Sequence, residues 1–512
     1  MLPVRELLRS AAFTHEASDP VLVETHISWV VLAGDYAYKI KKPVRLPFLD
    51  YSTLDARKRF CEEEVRLNRR LAPELYEGVS RIVTTAGGLA MDQAGDLADY
   101  AVRMRRFGSD QRLDRRLADN TLSASDIDAC ARRIAAMHED APRAGPDGPY
   151  GTPEVVLGVV RDCIDALGDG AVAVREARRW LEDREPDLTG CFAARLAGGW
   201  VRECHGDLHL ANLACVDEKI VPFDAIEFDP ALRWIDIQAD AAFLLMDLWS
   251  REHPGLAWRF YDTWLARTGD YDGVAMLRYY LIYRHLVRAK VDRIRLDQAP
   301  ADPEERRQVA RRLAIHFGGI RDLLRPGRPG LVLTHGLSAS GKSTLAKGLA
   351  AEMQMIRLRA DLLRKRMAGM DPFDHDSGPP AGLYAPGFTD RVYAELARLT
   401  ALSLDAGWNT IVDATFLTPE RREPLYALAR QRGLPALCLH CRAPESELRR
   451  RIVARRRAGV DPSDADLVVL TDQMARIRGP TPAERDLWLD VDTTAAPEPG
   501  ALAMQVRRRL WA

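Results

Sequence analysis

Gly336-Leu337-Ser338-Ala339-Ser340-Gly341-Lys342-Ser343-Thr344 follows an apolar run, Leu331-Val-Leu-Thr334, and matches GxxxxGK[ST] at every fixed position. An apolar strand entering and a helix leaving is the context that this pattern requires. The glycines let the backbone curl until its N–H groups point inward at phosphate oxygens, at the positive end of the helix that starts at Lys342. Lys342 adds a mobile point charge, and the Ser343 hydroxyl is placed to ligate Mg²⁺. A chance glycine-serine turn before a helix meets the pattern but not the context.

Working toward the C-terminus, strands and helices alternate. Strands are expected at Leu331–Thr334, Met355–Leu358, Thr410–Asp413 and Ala436–Cys441. Helices are expected from Lys342, Asp361, Phe388, Pro419 and Glu445. Such alternation predicts a parallel sheet covered by helices on both faces. Asp413 ends an apolar strand, where a carboxylate can order the waters of a magnesium ion or else cap the next helix. Asp361 and Arg364 open the helix after the second strand, at the rim where an acceptor fits; a helix cap on a solvated face is the plainer alternative. Arg449, Arg450, Arg451, Arg455, Arg456 and Arg457 crowd one segment, and residues 451 and 455 share a helix face. They could close over a triphosphate, bind nucleic acid or simply face solvent.

Toward the N-terminus, Arg325-Pro-Gly-Arg-Pro-Gly330 is the clearest seam, with two Pro-Gly pairs before the strand. It divides the chain into expected domains 1–325 and 330–512. The first opens with short extended runs at Val21–His26, Trp29–Leu32 and Tyr36–Lys41, the last two joined by an Ala-Gly-Asp turn. A helix over Leu54–Leu71 sets Phe60, Glu64, Leu67 and Leu71 on one face. Strands follow near Val79 and over Tyr100–Met104, and from Leu122 onward the pattern is mostly helical.

His205-Gly-Asp207-Leu-His-Leu-Ala-Asn212 is the second chemical constellation, followed by Asp224 at the end of Ile220-Val-Pro-Phe. One carboxylate accepts a proton from a hydroxyl, while an amide and a second carboxylate hold Mg²⁺ on phosphates. Lys39 and Lys41 point to the same side of their strand, so either can meet the phosphates. Glu64, with Glu63 as the alternative, is the carboxylate that could hold such a lysine.

Bulk composition bounds the rest. The chain has 512 residues, 47% hydrophobic and 29% charged, as expected of a soluble protein of two or three cores. A net charge of -1 argues against a general nucleic-acid binder. Charged residues break up the apolar N-terminal positions, so neither a signal peptide nor a membrane span is expected. Eight scattered cysteines make no disulfide framework, and a reducing, cytoplasmic setting is expected. The CxxC of Cys438 and Cys441 reads as part of a buried strand. Only nine lysines stand among 73 basic residues. A retained lysine therefore suggests a compact ammonium among phosphates, with most of the others on solvated faces.

Residues 330–512 resemble the small P-loop kinases, a group with gluconate-kinase-like and polynucleotide-kinase-like members. The carriers are the phosphate loop, Asp361-Leu-Leu-Arg-Lys365, Val412-Asp-Ala-Thr415, and Arg451-xxx-Arg455 before Asp461-Pro-Ser-Asp-Ala465. The resemblance implies that Arg451, Arg455 and Asp361 act on phosphate and acceptor. HGDLHxxN resembles the catalytic loop of aminoglycoside phosphotransferases and choline-kinase-like enzymes, over about residues 20 to 320. It implies a protein-kinase-like two-lobed fold with Asp207 as base, Asn212 and Asp224 as metal ligands, Lys39 on the phosphates and Ser28 in the short loop above them. Glu227 stands one place beyond that family's usual glutamate. The tandem is similar to bacterial fusions of these two kinds of kinase. It implies two ATP- and Mg²⁺-dependent phosphoryl-transfer sites acting on hydroxyls of small metabolites, sugar-like or aminoglycoside-like. A regulatory nucleotide sensor, a degenerate pseudokinase and a nucleic-acid-end kinase stay open as alternatives, and oligomeric state is open too.

Overall fold

The computed structural model describes residues 2–46, 49–298, 302–325, 327–373, 382–458 and 465–511. They form two compact units, Met1–Asp162 with Asp183–Asp247, and Cys163–Glu182 with Leu248–Ala512.

The first unit holds a six-stranded antiparallel sheet of Val21–Glu24, Ser28–Ala33, Tyr36–Lys41, Asp96–Arg105, Tyr76–Thr85 and Gly88–Met91, in that spatial order. The helix Leu54–Leu71 has the bounds read from its periodicity. Thr53 caps its N-terminus by accepting from the Ala56 N–H at 3.1 Å, and Arg69 and Arg70 complement the negative end of its dipole. Its buried face, with Cys61 and Val65, meets Tyr76 and Val102 of the sheet and Ala214 and Val221 of the hairpin Leu213–Val216/Lys219–Pro222. That contact joins the sheet strand paired with the lysine strand to the hairpin that Asn212 and Asp224 flank.

The second unit holds a five-stranded parallel sheet in the order Met355–Arg359, Asn409–Asp413, Leu331–His335, Ala436–Arg442, Trp488–Asp492. All five residues of the central strand are buried, as a strand covered on both faces requires. The expected strands and helices are present, and the mixed α/β class is as read. Three C-terminal elements went unread: helix Leu467–Arg476, edge strand Trp488–Asp492 and helix Pro499–Leu510.

The packing divides the chain elsewhere than the seam at 325–330. Helices Pro254–Thr268, Leu277–Asp297 and Pro303–Leu324 belong to the compact unit of the parallel sheet. The first of them packs on the phosphate-loop helix Lys342–Met353, and Trp258 meets Trp408 at 5.4 Å between ring centres. Pro-Gly pairs mark a joint in the backbone, whereas a compact unit follows buried contacts. Among the described residues no helix is long and apolar enough to cross a membrane. All eight cysteines are free. Cys438 and Cys441 lie in the expected strand, and burial pushes the Cys441 thiol up to about 12, which leaves no reactive thiolate.

Candidate functional sites

In the first unit, Lys39 and Lys41 flank Glu64, which is fully buried on the helix behind them. Lys39 donates to Glu64 Oε1 at 2.9 Å and also pairs with Asp224. Lys41 donates to Glu64 Oε2 at 2.7 Å and pairs with Glu227, which also accepts from the Tyr51 hydroxyl. The two lysines differ in access. Lys41 is 1% exposed between buried acids, whereas Lys39 meets Asp224, whose side chain is 41% exposed. Burial disfavours both ammonium charges, but the neighbouring carboxylates outweigh it and hold both lysines well above the ordinary value. Glu63 instead pairs with Arg66 and Arg233 and meets neither lysine. Glu227, which the family pattern left without a role, joins Glu64 in keeping Lys41 charged in the core.

Asp207 stands on a braced loop. The helix Ile237–Ser250 supplies Asp240, whose two oxygens accept from the His205 N–H at 3.1 Å and the Gly206 N–H at 3.0 Å. Asp247 of the same helix accepts from the Leu210 N–H at 2.9 Å. Burial lowers the His205 pKa, and the ring's bonds are those of a neutral imidazole: Nε2 donates to Phe223 O at 2.9 Å and Nδ1 accepts from the Asp207 N–H at 3.3 Å. Asn212 Nδ2 donates at 3.0 Å to both Asp207 Oδ2 and Asp207 O, and its Oδ1 takes no part in these bonds. Asp224 adopts φ 65°, an uncommon conformation for a non-glycine residue, fixed by its N–H on the Tyr76 hydroxyl at 3.0 Å. An amide oxygen and a half-exposed carboxylate are a donor set that suits Mg²⁺. Ser28 departs from its expected place over the phosphates. It begins its strand, 1% exposed, and its hydroxyl has no hydrogen-bond partner.

In the second unit the phosphate loop runs from the central strand into Lys342–Met353. Gly336 at φ 143° and Gly341 at φ 80° take conformations open to glycine, and a Cβ on Gly336 falls 2.6 Å from Cys441 O. Ala339 at φ 63° shares the left-handed turn. Lys342 Nζ bonds Leu337 O at 2.5 Å, and burial pushes its pKa below the ordinary lysine value. The Ser343 hydroxyl donates to Asp413 Oδ1 at 3.1 Å, while Asp413 Oδ2 is buried with no hydrogen bond. A hydroxyl and an orphaned carboxylate oxygen side by side fit a magnesium ion. A cavity of about 1250 Å³ opens beside them, lined also by Ser338, Thr344, Asp361, Arg364, Arg451 and Arg455.

The arginine segment is tied down more than its composition suggests. Arg449 pairs with Glu445, and Arg450 and Arg451 with Glu447. Arg451 also donates to Ala339 O at 3.3 Å and to Thr493 O at 2.7 Å, joining the phosphate loop to the loop after the edge strand. Arg455 donates to Ala465 O at 2.6 Å. Residues 461–464 and the Arg456 side chain lie outside the described residues. Gln473 and Thr493 were not read from sequence: Gln473 Oε1 accepts from the Ser338 N–H at 2.7 Å, and the Thr493 hydroxyl donates to Ser340 O at 2.7 Å. Arg364 donates to Leu383 O at 2.8 Å and to the Thr389 hydroxyl at 3.1 Å, beside Tyr384 at the cavity wall.

Fold and loop geometry make the second unit a P-loop nucleotide-binding unit, and the AAA domain family matches residues 331–480. An uncharacterized protein of Mycobacterium tuberculosis and another of Mycobacterium bovis are each 31% identical over 440 residues, 84% of this chain and 85% of theirs. The chain belongs to the family of these mycobacterial proteins. Among solved structures it resembles a gluconokinase from Sinorhizobium meliloti, at 22% identity and TM-score 0.24, over 36% of this chain and 90% of that one. It also resembles a choline/ethanolamine kinase family protein from Mesorhizobium loti, at 12% identity and TM-score 0.35, over 60% and 94%.

Proposed function

We propose that the chain is a cytoplasmic enzyme with two ATP-dependent phosphoryl-transfer sites, one for each chemical constellation, acting on hydroxyl groups of small metabolites. One observation carries the reading: each unit sets a lysine near a carboxylate with an oxygen donor on an adjoining segment, Lys39 beside Asp224 with Asn212, whose backbone oxygen accepts from the Phe223 N–H, and Lys342 near Asp413 with the Ser343 hydroxyl.

In the first site Asp207 takes the proton of the acceptor hydroxyl as its oxygen attacks, and Asn212 holds that carboxylate in place. Lys39 meets the phosphates of ATP, while Glu64 keeps it oriented. In the second site the loop N–H groups and Lys342 hold the phosphates, and Asp361 faces the acceptor. Arg451 anchors the loop, and Arg455 meets charge on the transferring group. Asn212 and Asp224 in one site, and Ser343 and Asp413 in the other, would hold Mg²⁺, which would supply neutralisation of phosphate charge.

Calorimetric titration with MgATP tests the two-site reading. Wild type is expected to bind two equivalents, and Lys342→Ala one. A single equivalent in wild type, lost entirely in Lys342→Ala, overturns it.

A further inference from the structure

Arg357 interrupts an otherwise apolar strand start, Met355-Ile-Arg-Leu, and is 6% exposed. A guanidinium so buried requires a counter-charge. It finds one on a helix outside the matched AAA domain: Nε and Nη2 donate to Asp262 Oδ1 and Oδ2 at 2.9 and 2.8 Å. Asp262 is 5% exposed and lies on Pro254–Thr268. The remaining nitrogen, Nη1, lies 3.4 Å from Ser343 O and 3.6 Å from Asp413 Oδ2. Arg359 Nε is 3.6 Å from that same oxygen. Asp413 Oδ2 thus has two cations close by and a hydrogen bond from neither, while Oδ1 takes the Ser343 hydroxyl.

We propose that Asp262 is a positioning residue for the P-loop metal site, gripping Arg357 so that its guanidinium stays off Asp413 and leaves a carboxylate oxygen for Mg²⁺. The inference rests on the reading of Ser343 and Asp413 as the metal-holding pair. A carboxylate in a direct ion pair spends its charge on the arginine and binds a metal less well. With Asp262 in place, the charge of Arg357 is met edge-on at hydrogen-bond distance, and Asp413 is held just beyond it. Without Asp262, Asp413 is the carboxylate left to Arg357 among the described residues. A small rotation of the side chain then closes the pair. The metal site of the P-loop unit therefore depends on a helix that precedes the phosphate loop in the chain and lies outside the AAA domain match.

The test uses the full-length chain in a Lys39→Ala background, so that nucleotide binding reports the P-loop site. ATP affinity is measured calorimetrically with Mg²⁺ and with EDTA, and the ratio is the metal enhancement. Asp262→Asn is expected to cut that enhancement about tenfold, the usual cost of losing a group behind a metal ligand. Affinity in EDTA is expected to hold. The double variant Asp262→Asn/Arg357→Gln removes the cation that captures Asp413, and the enhancement is expected to return. An unchanged enhancement in Asp262→Asn overturns the inference. So does a double variant as impaired as the single one, which marks a packing role instead. If the single variant does not fold, the double variant decides alone: wild-type enhancement supports the inference and reduced enhancement overturns it. Asp413→Asn separates the two levels. Enhancement retained there overturns the metal reading and this inference with it, whereas loss there beside retention in Asp262→Asn overturns the inference only.

Discussion

The two candidate sites are built on opposite plans. In the P-loop unit, one continuous segment from Gly336 to Thr344 supplies backbone donors, a cation and a hydroxyl, so a local motif carries most of the site. In the first unit the parts come from separate segments: Lys39 on a strand, Glu64 on a helix, Asp207 and Asn212 on a loop, Asp224 beyond a hairpin. Buried ion pairs, rather than chain continuity, hold those parts together. A backbone-built site should survive most single side-chain losses as structure and lose only chemistry. A site assembled by charge should lose both.

The largest effect is expected at Asp207. Asp207→Asn withdraws the proton acceptor and should lower turnover at the first site by about 10²- to 10⁴-fold, the usual contribution of a general base. The Asn212–Asp207 O bond and the Asp240 brace remain, so ATP affinity should stay near wild type. Lys39→Ala should weaken ATP binding as well. Steady-state kinetics on a substrate that needs this site, beside nucleotide titration, check the contrast. Full turnover in Asp207→Asn overturns the catalytic-loop assignment.

The charge-built plan is tested by stability. Lys41 lies between Glu64 and Glu227, all three buried. Breaking a buried pair by removing one partner costs about 3–5 kcal/mol. Glu227→Gln should therefore lower the unfolding temperature by roughly 6 °C or more. It should also change the acid response. Burial raises the Glu227 pKa, but Lys41 and Lys39 outweigh it and hold the group at about 2, below the ordinary glutamate value of about 4.3. Its stabilisation is therefore complete above about 4.3 and lost as the pH falls through about 2. Thermal unfolding from neutral to acid pH should show a shallower acid decline in Glu227→Gln than in wild type. Equal slopes would remove Glu227 from the acid response.

What was legible in the sequence follows the same division. The phosphate loop, its strand and its helix were readable because their residues are contiguous and their geometry is set by glycine. The catalytic loop was readable as a constellation, yet of two lysines at strand period Lys39 was preferred only by the resemblance, because the sequence does not show which one faces the accessible acid. Solvated faces were expected for most of the other lysines; Lys365, 2% exposed, is an exception. Glu227 stands one place beyond the family's spacing, and its pairing with Lys41 of the N-terminal sheet leaves no trace along the chain. The edge strand Trp488–Asp492 escaped notice because only one of its five residues is buried, so its apolar signal is weak. The grouping of Pro254–Thr268 with the P-loop unit had no linear signal. The nearest hint was Arg357, an arginine amid the apolar residues Met355, Ile356 and Leu358, which demands a buried carboxylate from somewhere.

The smallest effect expected is an absence, and it concerns the arginine segment. Arg449, Arg450 and Arg451 are met by Glu445 and Glu447 at helical spacing, so the helix shows mixed charge rather than a basic stripe. No aromatic residue interleaves residues 449–457 to stack on bases. Oligonucleotide binding should therefore be negligible at both low and moderate salt, in wild type and in Arg455→Ala alike. Turnover at the P-loop site should still fall in Arg455→Ala, because Arg455 lines the cavity beside Lys342 and its removal withdraws a charge from the transferring group. ATP affinity should fall less than turnover, since that charge matters most in the transition state. Arg451→Ala should behave differently: it frees Ala339 O and Thr493 O, loosens the loop itself and weakens ATP binding directly. Binding assays at two salt concentrations, run beside turnover for both variants, separate the readings. Oligonucleotide binding that weakens steeply with salt and vanishes in Arg455→Ala overturns the small-molecule reading, because such a slope marks counterions released from a phosphate backbone.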